Sequence, residues 1–264
     1  MKLYLGNAVW RTEEEGHAQS MRLLVRELDK RGIEFSEGFA VGDALISRAR
    51  SIAASTFLRS EADVFLSIDS DIWFRAEDAI ALAEKAMEYD IVAALYMTRS
   101  LKTQPALMLP DEPVIFAADS LMVEAPLVST GFMAVHRRVF EKLIARSEEL
   151  APTVPEGLLH PDVIPLCHKG WSDRGVDTSF WPFYWPVPTP WEGDGHMYES
   201  EDWAFCFRAK HAGFKIWLDP SIRLGHTGTT MFTLEDLLQP TRPAAAPMRL
   251  HRNGTGELEY KVLN

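Results

Sequence analysis

Cysteine is scarce. The 264 residues hold two, Cys167 and Cys206, too few for a disulfide framework and without any paired zinc-ligand spacing. Both read as inert packing residues. Long apolar runs are missing as well, since no segment approaches the roughly 20 apolar residues of a membrane span. The opening Met1-Lys2-Leu3-Tyr4-Leu5-Gly6-Asn7 is interrupted too early to serve as the apolar core of a signal peptide, so a reducing, cytoplasmic compartment is the expectation. Basic charge is in the minority, with 27 Lys and Arg against 38 Asp and Glu for a formal net of −11. Such a surface gains no counterion-release affinity for duplex nucleic acid. Bulk, sequence-independent binding is thereby excluded, while a local basic groove stays open.

What is there is a globular composition, 47 % hydrophobic and 25 % charged, which excludes disorder, collagen and coiled coil. Along the chain, strand-like and helix-like segments alternate. Strands are expected at 3–9, 33–41, 63–68, 91–96 and 129–135, and helices at 13–31, 47–59, 75–89 and 137–150. That alternation predicts an α/β fold, a mostly parallel sheet flanked by helices in a Rossmann-like arrangement. From 151 to 199 periodicity gives way to a long loop rich in proline. Its stretch 180–191 holds six aromatics, Trp181, Trp185 and Trp191 among them, the composition of a binding loop or lid. A last helix is expected over 201–212, with Ser200 as N-cap and Gly213 just past its end. The length fits one domain, placed at 1–231. Residues 232–264 form a tail whose Arg252-Asn253-Gly254 signals a hairpin turn.

Three groups carry chemistry. The run 63–68 is apolar and β-branched and ends abruptly in Asp69-Ser70-Asp71, at the strand end where open α/β sheets place ligands. In extended chain the two carboxylates project from one side, about 7 Å apart, and hard oxygen ligands of this kind suit Mg²⁺ or Mn²⁺. For an isolated Asp-x-Asp, turn chemistry after a strand is the commoner explanation, so the context has to decide. Glu201 and Asp202 occupy the first turn of the last helix, where the dipole keeps carboxylates ionised to act as a general base. Capping alone also accounts for acids there. His226 lies between Gly225 and Thr227-Gly228; a lone histidine is more often a structural residue than a ligand, although the flanking glycines let the backbone approach a ligand closely.

In order and separation these elements resemble nucleotide-sugar glycosyltransferases of the GT-A fold, especially the broad family 2 type. Residues 64–71 are similar to that group's strand and DxD element, and 129–143 to its acceptor-side strand and basic helix. Residues 201–217 resemble its ED-motif helix and following strand, and His226 its late metal-binding histidine. Ser47-Arg48-Ala49-Arg50-Ser51 is similar to the S-R-A-R segment of mannosyltransferase-like and phage-encoded members, with Ser51 in place of asparagine. Two family features are missing: the Gly-Gly-Phe-Asp-Glu run before the ED motif and the Pro-x-Tyr/Phe-Asn start of the first strand.

The resemblance implies a GT-A domain that moves a sugar from a nucleoside diphosphate sugar, UDP-sugar favoured and GDP-sugar possible, to an acceptor hydroxyl on a glycan, protein or modified base, with inversion. It implies Mn²⁺ or Mg²⁺ on Asp71, Asp69 and His226. Asn7, Ala8, Arg48, Arg50, Asp69, Ser70 and the three tryptophans would bind the donor, and Asp202, or Glu201, would act as base. Three other readings stay open: phage-type glycosylation of modified DNA bases, a nucleotidyltransferase, and a non-enzymatic carbohydrate-binding protein.

Overall fold

The computed structural model describes residues 1–9, 13–100, 103–155, 160–168, 179–190, 195–228, 231–238 and 247–263. The first half follows the alternation in the sequence: β1 (Leu3–Val9), α1 (Glu15–Arg31), β2 (Phe35–Val41), α2 (Ile46–Arg59), β3 (Val64–Asp69), β4 (Ile72–Trp73), α3 (Ala76–Tyr89) and β5 (Ile91–Ala93). α1 ends at Gly32, whose φ of 65° lets its N–H turn back onto the Asp29 and Leu28 carbonyls, a conformation glycine adopts without the Cβ penalty. Helices α4 (Arg137–Leu150) and α5 (Glu201–His211) follow.

The central sheet has seven strands in the order β2, β1, β3, Phe132–His136, β5, Trp217–Leu218, Val123–Glu124. Five run in one direction. Phe132–His136 runs against both β3 and β5, and Val123–Glu124 against Trp217–Leu218. The α/β class with a mostly parallel sheet flanked by helices is thus as expected, and the reversed strand between β3 and β5 is the feature that periodicity does not disclose.

Alternation along the strands supplies two cores, because successive side chains leave opposite faces. Leu3, Leu5, Val64, Leu66 and Ile68 pack with Leu24 and Leu28 of α1 and with Ile80 and Ala83 of α3. Tyr4 and Phe65 pack on the other face with Phe57 of α2, Phe140 of α4 and Phe205 of α5. β3 is buried on both faces, which explains why its sequence reads as one apolar run.

Two short pairings set the site. β4 pairs with Gly225–Thr227, bringing His226 opposite Ile72, just past the acids that end β3. The hairpin Met248–Arg252/Leu258–Val262 adds to the strand Val114–Phe116. Met248 and Leu250 are fully buried there. Segment 151–199 is less irregular than its composition suggests: Val187–Pro190 pairs with His196–Glu199, and Cys167–His168 with Ser179–Phe180. No helix among the described residues is long and apolar enough to cross a membrane.

Candidate functional site

Arg50 organises the acids. Its Nη2 donates to both carboxylate oxygens of Asp69, at 2.9 and 2.8 Å, and its Nη1 to Glu201 Oε1 at 2.8 Å and Asp202 Oδ1 at 2.7 Å. The side chain is only 5 % exposed. One buried guanidinium from α2 therefore joins the end of β3 to the first turn of α5. Asp202 Oδ1 also accepts from the Thr130 hydroxyl, whereas its Oδ2 accepts no hydrogen bond among the described residues. Burial and the neighbouring Asp202 charge push the Glu201 carboxyl above its usual range, against the pull of Arg50.

Asp69 is fixed from a second side. Its backbone N–H donates to Gly131 O at 2.8 Å, and a Cβ on Gly131 would stand 2.5 Å from both Asp69 Oδ2 and the Tyr96 hydroxyl. The absent side chain at 131 is thus the space that the acid occupies.

Asp71 belongs to a second group. Its Oδ2 lies 2.8 Å from Arg99 Nη1 and 3.4 Å from His226 Nε2, while its Oδ1 is buried without a hydrogen-bond partner. The His226 Nδ1 sits 2.8 Å from the Met97 carbonyl. A carbonyl only accepts, so Nδ1 carries a proton and Nε2 is the ring nitrogen turned toward Asp71. Burial by itself would raise the Asp71 carboxyl, yet His226 and Arg99 hold it below the ordinary aspartate range. The backbone supports the pairing, since Thr227 N–H donates to Asp71 O at 2.8 Å.

An imidazole nitrogen and a carboxylate facing each other, with one buried, unpaired oxygen beside them, suit a divalent cation. Among the described residues no group of three or more His, Cys, Asp and Glu side chains is arranged to hold a metal ion. A hard cation at Asp71 and His226 would therefore draw further oxygens from its ligand. Asp69, with both oxygens on Arg50, stands apart from that pair.

These groups border two clefts. The first, about 340 Å³, is lined by Ala8, Arg50, Asp69, Ser70, Asp71 and Arg99 among others. The second, about 520 Å³, is lined by Asp202, Ser129, Ser200, Trp203, Met108 and Arg252 among others. Arg50 on the first and Asp202 on the second are in direct ionic contact.

The structure thus brings Ala8, Arg50, Asp69, Ser70, Asp71, His226, Glu201 and Asp202 into one region, while other expected residues lie elsewhere. Asn7 is fully buried and its side-chain nitrogen and oxygen are unpartnered. By strand alternation it points to the α1/α3 face, away from its cleft-lining neighbour Ala8. Arg48 forks onto Asp43 at 2.7 and 2.8 Å and, with Trp185, lines a separate apolar hollow. Trp181 packs on the core. The physical reason is docking on α2: the Ser55 and Ser51 hydroxyls accept the N–H groups of Trp181 and Tyr184 at 2.9 and 3.2 Å. Trp191 lies outside the described residues. Ser200 stands at the N-cap of α5 but makes no side-chain capping bond.

Sequence reasoning passed over Arg99, Thr130 and Trp203. Arg99 lies between Thr98 and Ser100, and Thr130 beside Ser129, in short polar stretches after apolar runs that carry no pattern of their own. Trp203 reads as one more aromatic of the α5 helix.

No family model matches the chain, and no curated protein matches it. Among solved structures, it is similar to A197 from STIV at 14 % identity and TM-score 0.47, covering all of this chain and 94 % of that one. It is also similar to GalNAc-T7, crystallised with UDP, GalNAc and Mn²⁺, at 12 % identity and TM-score 0.45, covering 85 % of this chain and 43 % of that one. A third is the catalytic domain of Drosophila beta1,4galactosyltransferase 7 in complex with xylobiose, at 12 % identity and TM-score 0.39, covering 92 % of this chain and 74 % of that one.

Proposed function

We propose that the chain is a glycosyltransferase that moves a sugar from a nucleoside diphosphate sugar, of uridine before guanosine, to an acceptor hydroxyl with inversion. One observation carries the reading: the Asp202 carboxylate stands on the second cleft with Oδ1 held by Arg50 and Thr130 and Oδ2 unengaged, while Arg50 itself lines the first. A fixed carboxylate with one unengaged oxygen is what a general base requires.

In this account the first cleft takes the donor and the second the acceptor. Ala8 and Ser70 border the nucleotide. Asp71 and His226 would hold a divalent cation, Mn²⁺ or Mg²⁺, whose charge would offset that of the leaving diphosphate. Asp202 Oδ2 removes the proton of the acceptor hydroxyl while that oxygen bonds to the anomeric carbon, and the bond from that carbon to the diphosphate breaks. Asp69 is assigned to Arg50 rather than to the metal, because both its oxygens are already used. Residues 1–231 would carry both clefts, except that Arg252 of the hairpin lines the second.

The test is a thermal-shift and calorimetric titration of UDP and GDP with Mn²⁺ on the wild type and Asp71→Ala. Stabilisation by one diphosphate, about 2.7 kcal/mol at a hundredfold excess over Kd, lost in Asp71→Ala, is expected. No response to either nucleotide, or an equal response in the variant, contradicts the reading. Mn²⁺-dependent hydrolysis of the matching nucleotide sugar then separates a transferase from a carbohydrate-binding protein.

A further inference from the structure

The second cleft has a polarity of its own, and three of its polar residues keep side-chain atoms that no other side chain engages. Asp202 Oδ2 accepts no hydrogen bond, and Ser200 caps α5 without using its hydroxyl. Arg252, from the C-terminal hairpin, uses Nη1 on the Gly256 carbonyl at 2.9 Å, and among the described residues no carboxylate pairs with it. Its remaining N–H donors are thus left to the cleft, unlike those of Arg48 and Arg146, which fork onto Asp43 and Asp162. The wall between these groups is apolar, with Pro105, Leu107, Met108 and Trp203. Trp203 is partly buried against the core and Met108 is 38 % exposed.

A cleft with an apolar wall and a few convergent polar groups orients a small ligand through those groups. Here they have opposite characters. The carboxylate accepts a hydroxyl proton, whereas the guanidinium offers its remaining N–H donors to an anion, which it meets best as a planar fork. A flat sugar ring lies naturally on an indole face. We infer that the acceptor taken by this cleft is a pyranose carrying an anionic substituent, a carboxylate or a phosphate. Its hydroxyl faces Asp202, and its negative charge is selected by Arg252. The inference rests on the transfer reading for the role of Asp202, and it gives the C-terminal hairpin a part in substrate choice.

Three probes separate the possibilities: methyl β-D-glucopyranoside, its uronic acid counterpart, and glucose 6-phosphate. Saturation-transfer NMR on the full chain, with UDP or GDP and Mn²⁺ present, measures their affinities for the wild type, Arg252→Ala and Arg252→Lys. Arg252 is exposed at the end of its strand, so both variants should fold, and thermal unfolding checks that they do.

The wild type should bind at least one anionic probe about tenfold more tightly than the neutral glycoside. Arg252→Ala should lose that preference and Arg252→Lys should keep part of it. The carboxylate and phosphate arms show which anion is taken. No binding, equal binding of neutral and anionic probes, or an undiminished preference in Arg252→Ala overturns the inference. Nucleotide titration of the same samples keeps the two readings apart. Charge selectivity without nucleotide binding leaves the anionic pyranose as the ligand of this cleft but removes its role as an acceptor along with the transferase, and nucleotide binding without charge selectivity overturns the inference and leaves the transferase standing.

Discussion

Arg50 and Asp69 meet through both carboxylate oxygens, at 2.9 and 2.8 Å from a single guanidinium nitrogen, and the other terminal nitrogen of Arg50 reaches the two acids of α5. One cation thus compensates three carboxylates that would otherwise repel at the junction of two clefts. Removing it leaves those charges partly buried and unpaired, at a cost of about 3–5 kcal/mol. Arg50→Ala should lose stability of that order in urea unfolding at pH 7. Arg50→Lys should recover only part of it, because an ammonium cannot fork between Asp69 and α5. An Arg50→Ala variant as stable as the wild type would remove the guanidinium from the centre of this account.

Glu201 provides a pH test. Its carboxyl is raised by burial and by Asp202, so the folded chain holds this proton more readily than the unfolded one. The charged form therefore costs stability as pH rises from the ordinary glutamate pKa, about 4.3, through the raised folded value. The cost is absent below both. Glu201→Gln keeps an oxygen for Arg50 and removes the charge. It should melt higher than the wild type at pH 7, with the difference vanishing near pH 4. A constant difference across that range, or a lower Tm at pH 7, would count against the repulsion described.

Much of this was legible in the sequence, and the rest fails for identifiable reasons. The end of β3 stands out because burial on both faces demands an unbroken apolar run, so Asp69 and Asp71 break it visibly. The buried face of α2 shows in Ala49, Ala53 and Phe57, all with little exposure. The role of Arg50 does not show, since its acidic partners lie up to 152 residues away and only chain closure brings them together. The direction of Phe132–His136 is equally hidden, because an apolar strand reads the same whichever way it runs. Tryptophan content marked segment 180–191, but composition cannot say which ring faces a cleft. The tryptophan on the second cleft is Trp203, inside a helix.

Gly131 admits Asp69 and Tyr96 to space that a methyl group would take, at 2.5 Å from each. Gly131→Ala should cost about 1–3 kcal/mol through overpacking, and it should weaken nucleotide binding as Asp69 shifts off Arg50. Calorimetry on the folded variant reads the second effect. Undiminished stability and affinity would show that Asp69 does not need that space.

Arg99 occupies the Asp71 oxygen that faces His226, so a cation arriving there competes with a guanidinium. The Arg99 side chain is 47 % exposed, and exposed ion pairs contribute about 0–1 kcal/mol. Arg99→Ala should accordingly bind Mn²⁺ no more than about fivefold more tightly than the wild type without nucleotide, as read by the free Mn²⁺ signal in electron paramagnetic resonance. Weaker Mn²⁺ binding in the variant would mean that Arg99 assists the cation instead of competing with it.

The central claim is that Asp202 moves a proton while other groups hold the donor. The most direct measurement pairs a donor titration with a transfer assay on Asp202→Asn, using the nucleotide sugar that stabilises the wild type. The account predicts a donor Kd within about twofold of the wild type and a loss of turnover of roughly 10²–10⁴, the range expected when a general base is removed. Turnover retained in Asp202→Asn, or lost only in proportion to donor binding, would contradict it.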